Sequence, residues 1–170
     1  MAIEQIMSTP VYKITVPVFN DHRGIYLELF NKENYQKNLA PIEFLQDDIS
    51  ISRKNVLRGI HGDQKTWKLI SCLVGTIYVV IVNNDPEHKD FKKWESCTIS
   101  DQGEERIFIL VPPKHGLGHL VQSTKAVFWY KQSTYYNRES QFTIKWNDPA
   151  YNIRWPVKNP VTSQRDQGLD

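Results

Sequence analysis

Apolar residues along this chain fall into short runs, most of them alternating with polar ones. Val11–Val18 alternates with a period of two, which places one face of a strand against a core. Gly24–Phe30 and Phe44–Ser52 read as further strands. So do Trp67–Val74, Thr76–Val82, Trp94–Ile99, Arg106–Val111 and Ala126–Tyr130. Turn signals separate them at Asp21-His-Arg-Gly24, Gly75, Asn83-Asn-Asp-Pro86, Asp101-Gln-Gly103 and Pro112-Pro113. Many short strands at regular spacing predict an all-β sandwich or barrel. Helix is scarce, with one or two turns expected over Asn31–Asn38. No repeat, low-complexity tract or linker divides the chain, so one domain over 1–170 is expected. From about residue 156 the chain carries Pro156 and Pro160 and turns polar, which predicts an extended C-terminal arm.

Composition narrows the function. With 21 Lys+Arg against 19 Asp+Glu, the formal charge of +2 lacks the basic excess that nucleic-acid binding requires. No apolar run approaches the ~18 residues of a membrane span. The N-terminus, MAIEQIMSTP, has no positive stretch followed by an apolar one, so no secretory signal is expected. Cys72 and Cys97 lie in strand-like segments outside any CxxC, which fits a reduced, cytoplasmic protein. Five Trp and eight Tyr exceed what a small core needs.

Four polar clusters carry candidate chemistry. The densest is Arg58-Gly-Ile-His61-Gly-Asp63-Gln-Lys-Thr-Trp-Lys68. There His61 can remove a proton while Lys68 or Arg58 stabilises the anion formed. It can equally be a hydrogen-bonded loop histidine. As a metal ligand it lacks the local pattern, because Asp63 stands where a second histidine would and no Glu follows, although His115 or His119 can still join in space. Tyr130, closing an apolar strand, shares a face with Phe128 and can project its hydroxyl into a pocket or simply anchor a core. The loop-like Pro112–His119 segment holds His115 and His119, of which His119 is a candidate ligand contact. Asp21-His-Arg23-Gly24 is a turn whose arginine can meet an anion or a carboxylate.

Taken together and in this order, these pieces resemble the nucleotide-sugar epimerases typified by dTDP-4-dehydrorhamnose 3,5-epimerase. The matching fragments are Asp21-His-Arg-Gly24 with Glu28, Phe44-Leu-Gln-Asp47, Val56-Leu-Arg-Gly-Ile-His61, Lys68-Leu, Pro112-Pro113, Tyr130-Lys131, Tyr136, Trp146-Asn-Asp-Pro149 and Trp155-Pro156. The resemblance implies a cupin-like jelly roll or β-barrel with a few short helices, a homodimer, and no metal or organic cofactor. It implies an isomerase acting on a nucleoside-diphosphate 4-keto-6-deoxy sugar. His61 matches the base and Asp166, in Ser163-Gln-Arg-Asp166, the carboxylate that orients it. Lys68 matches the lysine near the 4-keto oxygen and Tyr130 the general acid. Arg23 and Arg58 match phosphate contacts, Glu28 and Gln46 residues near the base, and Tyr136 one near the nucleoside; His119 joins this substrate-binding set.

Two departures bear on the substrate. The rhamnose enzymes usually follow Pro-Pro with Gly-Phe-Ala-His-Gly-Phe, whereas Leu117 holds that His position here and His119 falls two later. The residue after the base is Gly62, within His61-Gly-Asp-Gln-Lys-Thr-Trp-Lys-Leu69. Both stretches look more like the epimerases acting on GDP-linked 4-keto-6-deoxy-heptoses in capsule pathways. The sequence therefore predicts a 3,5-epimerase or 3-epimerase on such a heptose, with dTDP-4-dehydrorhamnose 3,5-epimerase as the alternative. A non-catalytic sugar-nucleotide-binding barrel, a metal-dependent cupin and a 3,4-ketoisomerase are the competing readings. The chemistry is self-consistent: a 4-keto group acidifies C3–H and C5–H, a histidine near neutrality in its ordinary pKa removes one proton, and an acid returns one to the opposite face. Aromatic rings at Tyr130, Tyr136 and Trp67 would stack on such a ligand, while Trp146 and Trp155 would hold the arm.

Overall fold

A computed structural model describes residues 1–169; Asp170, the last residue of the expected domain, lies outside them. The strands are β1 (Ala2–Gln5), β2 (Tyr12–Pro17), β3 (Phe19–Asp21), β4 (Gly24–Tyr26), β5 (Gln46–Arg53), β6 (Leu57–Gly62) and β7 (Lys68–Val74). They continue with β8 (Thr76–Asn83), β9 (Trp94–Ser100), β10 (Glu105–Val111), β11 (His115–Val121), β12 (Lys125–Gln132) and β13 (Phe142–Thr143). Helix α1 spans Lys32–Asn38, capped by the Asn31 side chain, which accepts from the Asn34 N–H at 3.1 Å.

Two antiparallel sheets face each other. One has the order β1-β2-β10-β7-β12-β5 and the other β13-β6-β11-β8-β9. Ile70, Cys72, Ile109 and Phe128 from the first sheet meet Ile77, Val79, Ile81 and Val121 from the second in the central core. Each fully buried aliphatic side chain there contributes roughly 1.5–3 kcal/mol. The outer faces are also covered. Tyr35 of α1, with Leu27, Leu29, Phe30 and Phe44, packs on Leu69, Phe108 and Trp129. Ile144, Tyr151, Ile153 and Trp155 cover Ile60, Val80 and Val82 on the other side. Burial on both faces is why β8 reads as a continuous apolar run and not as an alternation.

The all-β jelly roll agrees with the sequence reading, and three segments differ from it. The expected strand over Gly24–Phe30 stops at Tyr26, because Leu27, Leu29 and Phe30 leave the hairpin to seal the outer face of the first sheet. Strand β11, whose segment reads as loop-like, and β6, which the sequence reading does not assign as a strand, are ladder partners. Their glycines allow close packing: a Cβ on Gly116 would lie 2.6 Å from Ile60 Cγ2, and one on Gly118 2.9 Å from Ile60 Cγ1. The C-terminal arm docks on the body. Val161 bridges Val56 in parallel, accepting from the Leu57 N–H at 2.9 Å and donating to Asn55 O at 2.8 Å. Trp155 packs edge-on against Tyr78 and donates to Trp146 O at 2.8 Å. Cys72 and Cys97 are free thiols. Among the described residues no helix is long and apolar enough to cross a membrane.

Candidate active site

A cavity of about 670 Å³ opens between the inward faces of β5, β6, β7, β11 and β12, with the docked arm forming one wall. Period-two geometry supplies its lining: Gln46, Asp48 and Ser50 from β5, Leu117 and His119 from β11, Phe128 and Tyr130 from β12. His61 enters from β6 and Lys68 from the first position of β7.

The bridge between Val56 and Val161 brings the arm alongside β6 and sets a turn at Arg165–Gln167 against His61. His61 Nε2 lies 2.7 Å from Asp166 Oδ1, and the carboxylate is almost wholly enclosed. Ser163 Oγ donates to Asp166 Oδ2 at 2.8 Å and the Gly59 N–H to Oδ1 at 3.3 Å. Burial alone would raise the Asp166 pKa; the hydrogen bonds from His61, Ser163 and Gly59 outweigh it and hold the carboxyl below its usual value. Asp166 therefore accepts from Nε2–H, which leaves the lone pair on Nδ1. That nitrogen meets Thr143 Oγ1 at 3.1 Å, and Arg165 Nε donates to the same hydroxyl at 3.0 Å.

Lys68 is buried, and its ammonium has no hydrogen-bond or salt-bridge partner among the described residues. Burial lowers its pKa, Asp63 opposes that shift and Arg165 adds to it. Asp63 itself caps the turn between β6 and β7, accepting from the N–H groups of Lys65 at 2.8 Å and Thr66 at 2.7 Å. Tyr130 is pushed up to about 12 by burial and by the neighbouring Asp48 charge, so its phenol keeps its proton near neutrality. Asp48 is the cross-strand partner of Tyr130 and accepts from Gln46 Nε2 at 2.7 Å and Gln132 Nε2 at 3.0 Å. Gln46 in turn accepts from the Tyr136 N–H at 2.8 Å, fixing the segment that carries that ring to the cavity wall. Arg58 is steered by Ser52, to whose hydroxyl its Nε donates at 2.9 Å.

Of the residues singled out from sequence, His61, Lys68, Tyr130, Asp166, Gln46, Arg58, His119 and Tyr136 line one cavity. Arg23 and Glu28 do not. Arg23 is an exposed residue of the β3–β4 turn paired with Asp21 at 2.6 Å, and Glu28 accepts from Asn31 Nδ2 at 3.2 Å beside α1. His115 is a structural group outside the cavity: Nδ1–H donates to Pro113 O at 2.9 Å, and Nε2 accepts from Thr9 at 2.8 Å. Trp67 packs against the outer face of the first sheet and does not line the cavity. Sequence reasoning missed Asp48, Ser50, Gln132, Thr143 and Arg165; the inward parity of Gln46 would have pointed to the first two. Among the described residues no group of three or more His, Cys, Asp or Glu side chains is arranged to hold a metal ion.

A jelly roll enclosing a His–Asp pair, an unpaired lysine and a protonated tyrosine can move a proton at a carbon beside a carbonyl. The family model for dTDP-4-dehydrorhamnose 3,5-epimerase matches residues 7–170. A protein of that name from Escherichia coli K12 is 37% identical over 157 residues, covering 89% of this chain and 84% of its own. A dTDP-6-deoxy-D-glucose-3,5-epimerase from Legionella pneumophila, solved with dTDP-4-keto-L-rhamnose, superposes with a TM-score of 0.91 at 31% identity, over 98% of this chain and 90% of its own. A dTDP-4-dehydrorhamnose 3-epimerase from Streptomyces niveus is 26% identical over 92% of this chain and 77% of its own. The chain belongs to the dTDP-4-dehydrorhamnose 3,5-epimerase family and is a carbohydrate epimerase.

Proposed function

We propose that this epimerase inverts carbons next to the 4-keto group of a nucleoside-diphosphate 4-keto-6-deoxy sugar. The observation that carries the reading is the His61–Asp166 pair opening into the same cavity as Lys68 and Tyr130. His61 takes the C–H proton, and Asp166 stabilises the imidazolium that forms. The enolate oxygen gains the Lys68 ammonium as its counter-charge, an interaction worth several kcal/mol in a water-poor site. Tyr130 returns a proton to the other face of the carbon. Atoms balance with one proton out and one in, so the reaction calls for no redox partner, metal or organic cofactor.

The relatives support a dTDP-linked hexose, since the Escherichia coli, Legionella and Streptomyces proteins are all named for dTDP sugars. A GDP-linked 4-keto-6-deoxy-heptose is the second reading, favoured by one local feature: Leu117 and His119 present an altered wall to the ligand. Inversion at C3 and C5 is the reading for the dTDP sugar, although the Streptomyces niveus relative is named a 3-epimerase. The enzyme works in the cytoplasm as a homodimer. Strand β5 supports the dimer: it is an edge strand whose polar face lines the cavity and whose Ile49 and Ile51, each 59% exposed, face outward. In such a dimer the β3–β4 hairpin, with Arg23 and the exposed rings of Phe19 and Tyr26, is free to reach a second copy.

Incubation with dTDP- and GDP-linked 4-keto-6-deoxy sugars in D₂O tests the reading. Deuterium appears at C3, or at C3 and C5, in the preferred substrate. Failure of both sugars to exchange would leave a binding barrel, and migration of the carbonyl would make the protein a ketoisomerase.

A further inference from the structure

Each inversion leaves the enzyme in a changed protonation state. When His61 takes a proton from one face of a carbon and Tyr130 returns one to the other, an imidazolium and a phenolate remain. A second inversion on the same sugar needs both groups reset first. The proton cannot pass straight from one to the other, because the sugar lies between them. The imidazolium has to lose its proton to bulk water by another way.

Thr143 offers that way. It belongs to β13, the edge strand of its sheet, and stands directly opposite His61 in the ladder with β6. Its Oγ1 lies 3.1 Å from His61 Nδ1, yet the residue is exposed and lies outside the lining of the cavity. The hydroxyl therefore meets the base on one side and solvent on the other. The other ring nitrogen, Nε2, is turned to the enclosed Asp166 carboxylate. Arg165 Nε donates to Thr143 Oγ1 at 3.0 Å, and Arg165 Nη2 is anchored to Gln141 Oε1 at 3.1 Å. A hydroxyl accepts two hydrogen bonds and donates one. With Arg165 filling one acceptor position, the second is open to an imidazolium N–H, and the O–H is then free to point to water.

We infer that Thr143 is the proton exit of this epimerase, passing the proton that His61 has taken to bulk water while the sugar stays bound. The Nδ1–H bond breaks and an O–H bond forms on Thr143, as the hydroxyl's own proton leaves to a water molecule. His61 is neutral again and Thr143 is unchanged. Tyr130 regains its proton from water, so the balance stays at one out and one in. Thr143 acts through His61 and touches no sugar atom, so its effect falls on the second inversion and not on the first. The inference rests on the reading above of two inversions, at C3 and C5, by one base and one acid.

The test follows singly and doubly inverted sugar by NMR in D₂O, from the dTDP- and GDP-linked 4-keto-6-deoxy sugars, with wild type, T143V, T143A and T143S. In T143V and T143A the first inversion stays within about 3-fold of the wild-type rate, the second slows about 10- to 100-fold, and singly inverted sugar accumulates. T143S restores the second inversion to within about 3-fold of wild type, because it keeps the hydroxyl. A small buffer such as imidazole, at high concentration, speeds the second inversion in T143A, whose short side chain leaves it room at Nδ1. The same buffer leaves wild type unchanged. A wild-type product ratio in T143V and T143A would overturn the exit. So would equal slowing of both inversions, which marks a residue that merely holds His61 in place, or a loss in T143A that buffer does not relieve. A wild type that exchanges deuterium but inverts one carbon only would overturn the exit and leave the epimerase reading standing. A wild type that exchanges neither carbon would overturn the epimerase reading itself.

Discussion

His61 Nε2 and Asp166 Oδ1 stand 2.7 Å apart, joining the end of a barrel strand to a turn of the C-terminal arm. The carboxylate is buried and supplied with two further donors, so it is fixed before substrate arrives. In the proposed mechanism it holds one imidazole tautomer and stabilises the cation formed on proton transfer.

Asp166→Asn keeps the shape and removes the charge. Deuterium incorporation is expected to fall roughly 10²- to 10⁴-fold, with the circular dichroism spectrum unchanged. Stability changes with pH in a defined direction. Because the folded Asp166 pKa lies below that of the unfolded chain, its contribution is present above about pH 4 and is lost as the pH falls through the lower, folded value. Wild type should therefore lose more Tm than D166N between pH 7 and pH 3. Parallel losses in the two proteins would show that Asp166 carries no such coupling.

Lys68→Met separates catalysis from stability. An unpaired ammonium in a buried position costs desolvation energy, so the methionine variant should melt at or above the wild-type temperature. Its proton-exchange rate should drop about 10²- to 10³-fold, because the enolate has lost its counter-charge. A variant that melts higher and still exchanges at the wild-type rate would remove Lys68 from the chemistry.

Tyr130→Phe should impair completed inversion more than deuterium wash-in, since removal of the first proton does not need the phenol. Equal losses in both would argue against Tyr130 as the acid. The raised pKa of about 12 also predicts that Tyr130 contributes no alkaline limb to the pH–rate profile below about pH 10. Asp48→Asn removes the charge beside the phenol and should bring its ultraviolet titration toward the ordinary tyrosine range, measured as the difference from Y130F.

Val161→Pro removes the N–H that Val161 donates to Asn55 O and so loosens the arm from β6. Activity should fall at least 10²-fold, while Tm changes little, because the sheet cores lie elsewhere. Full activity in V161P would mean the arm is held by Trp155 and its neighbours alone.

Much of the jelly roll can be read from period-two alternation and from turn residues, and eight cavity residues from the motif resemblance. Misreadings arose where a side-chain rule met a backbone constraint. The Gly-Leu-Gly of β11 looks like a loop because glycine weakens strands, yet here glycine is what fits beneath Ile60. Strand β5 conceals Asp48 and Ser50 for a related reason. Its polar side faces the cavity and Ile49 and Ile51 face out, the reverse of what a core-and-solvent pattern assigns. Thr143 and Arg165 meet His61 only through the fold, and no local spacing announces that meeting.

The docking of the arm has a temporal consequence during synthesis. Every strand of the barrel leaves the ribosome before Asp166 does. A nascent chain folded as far as β12 already displays the imidazole in its strand, but without the carboxylate that orients it. In the proposed mechanism such a chain has the shape of the enzyme and not its chemistry. Turnover thus serves as a clock for the last long-range contact, and a single proteolytic nick in the arm would silence a barrel that otherwise remained intact.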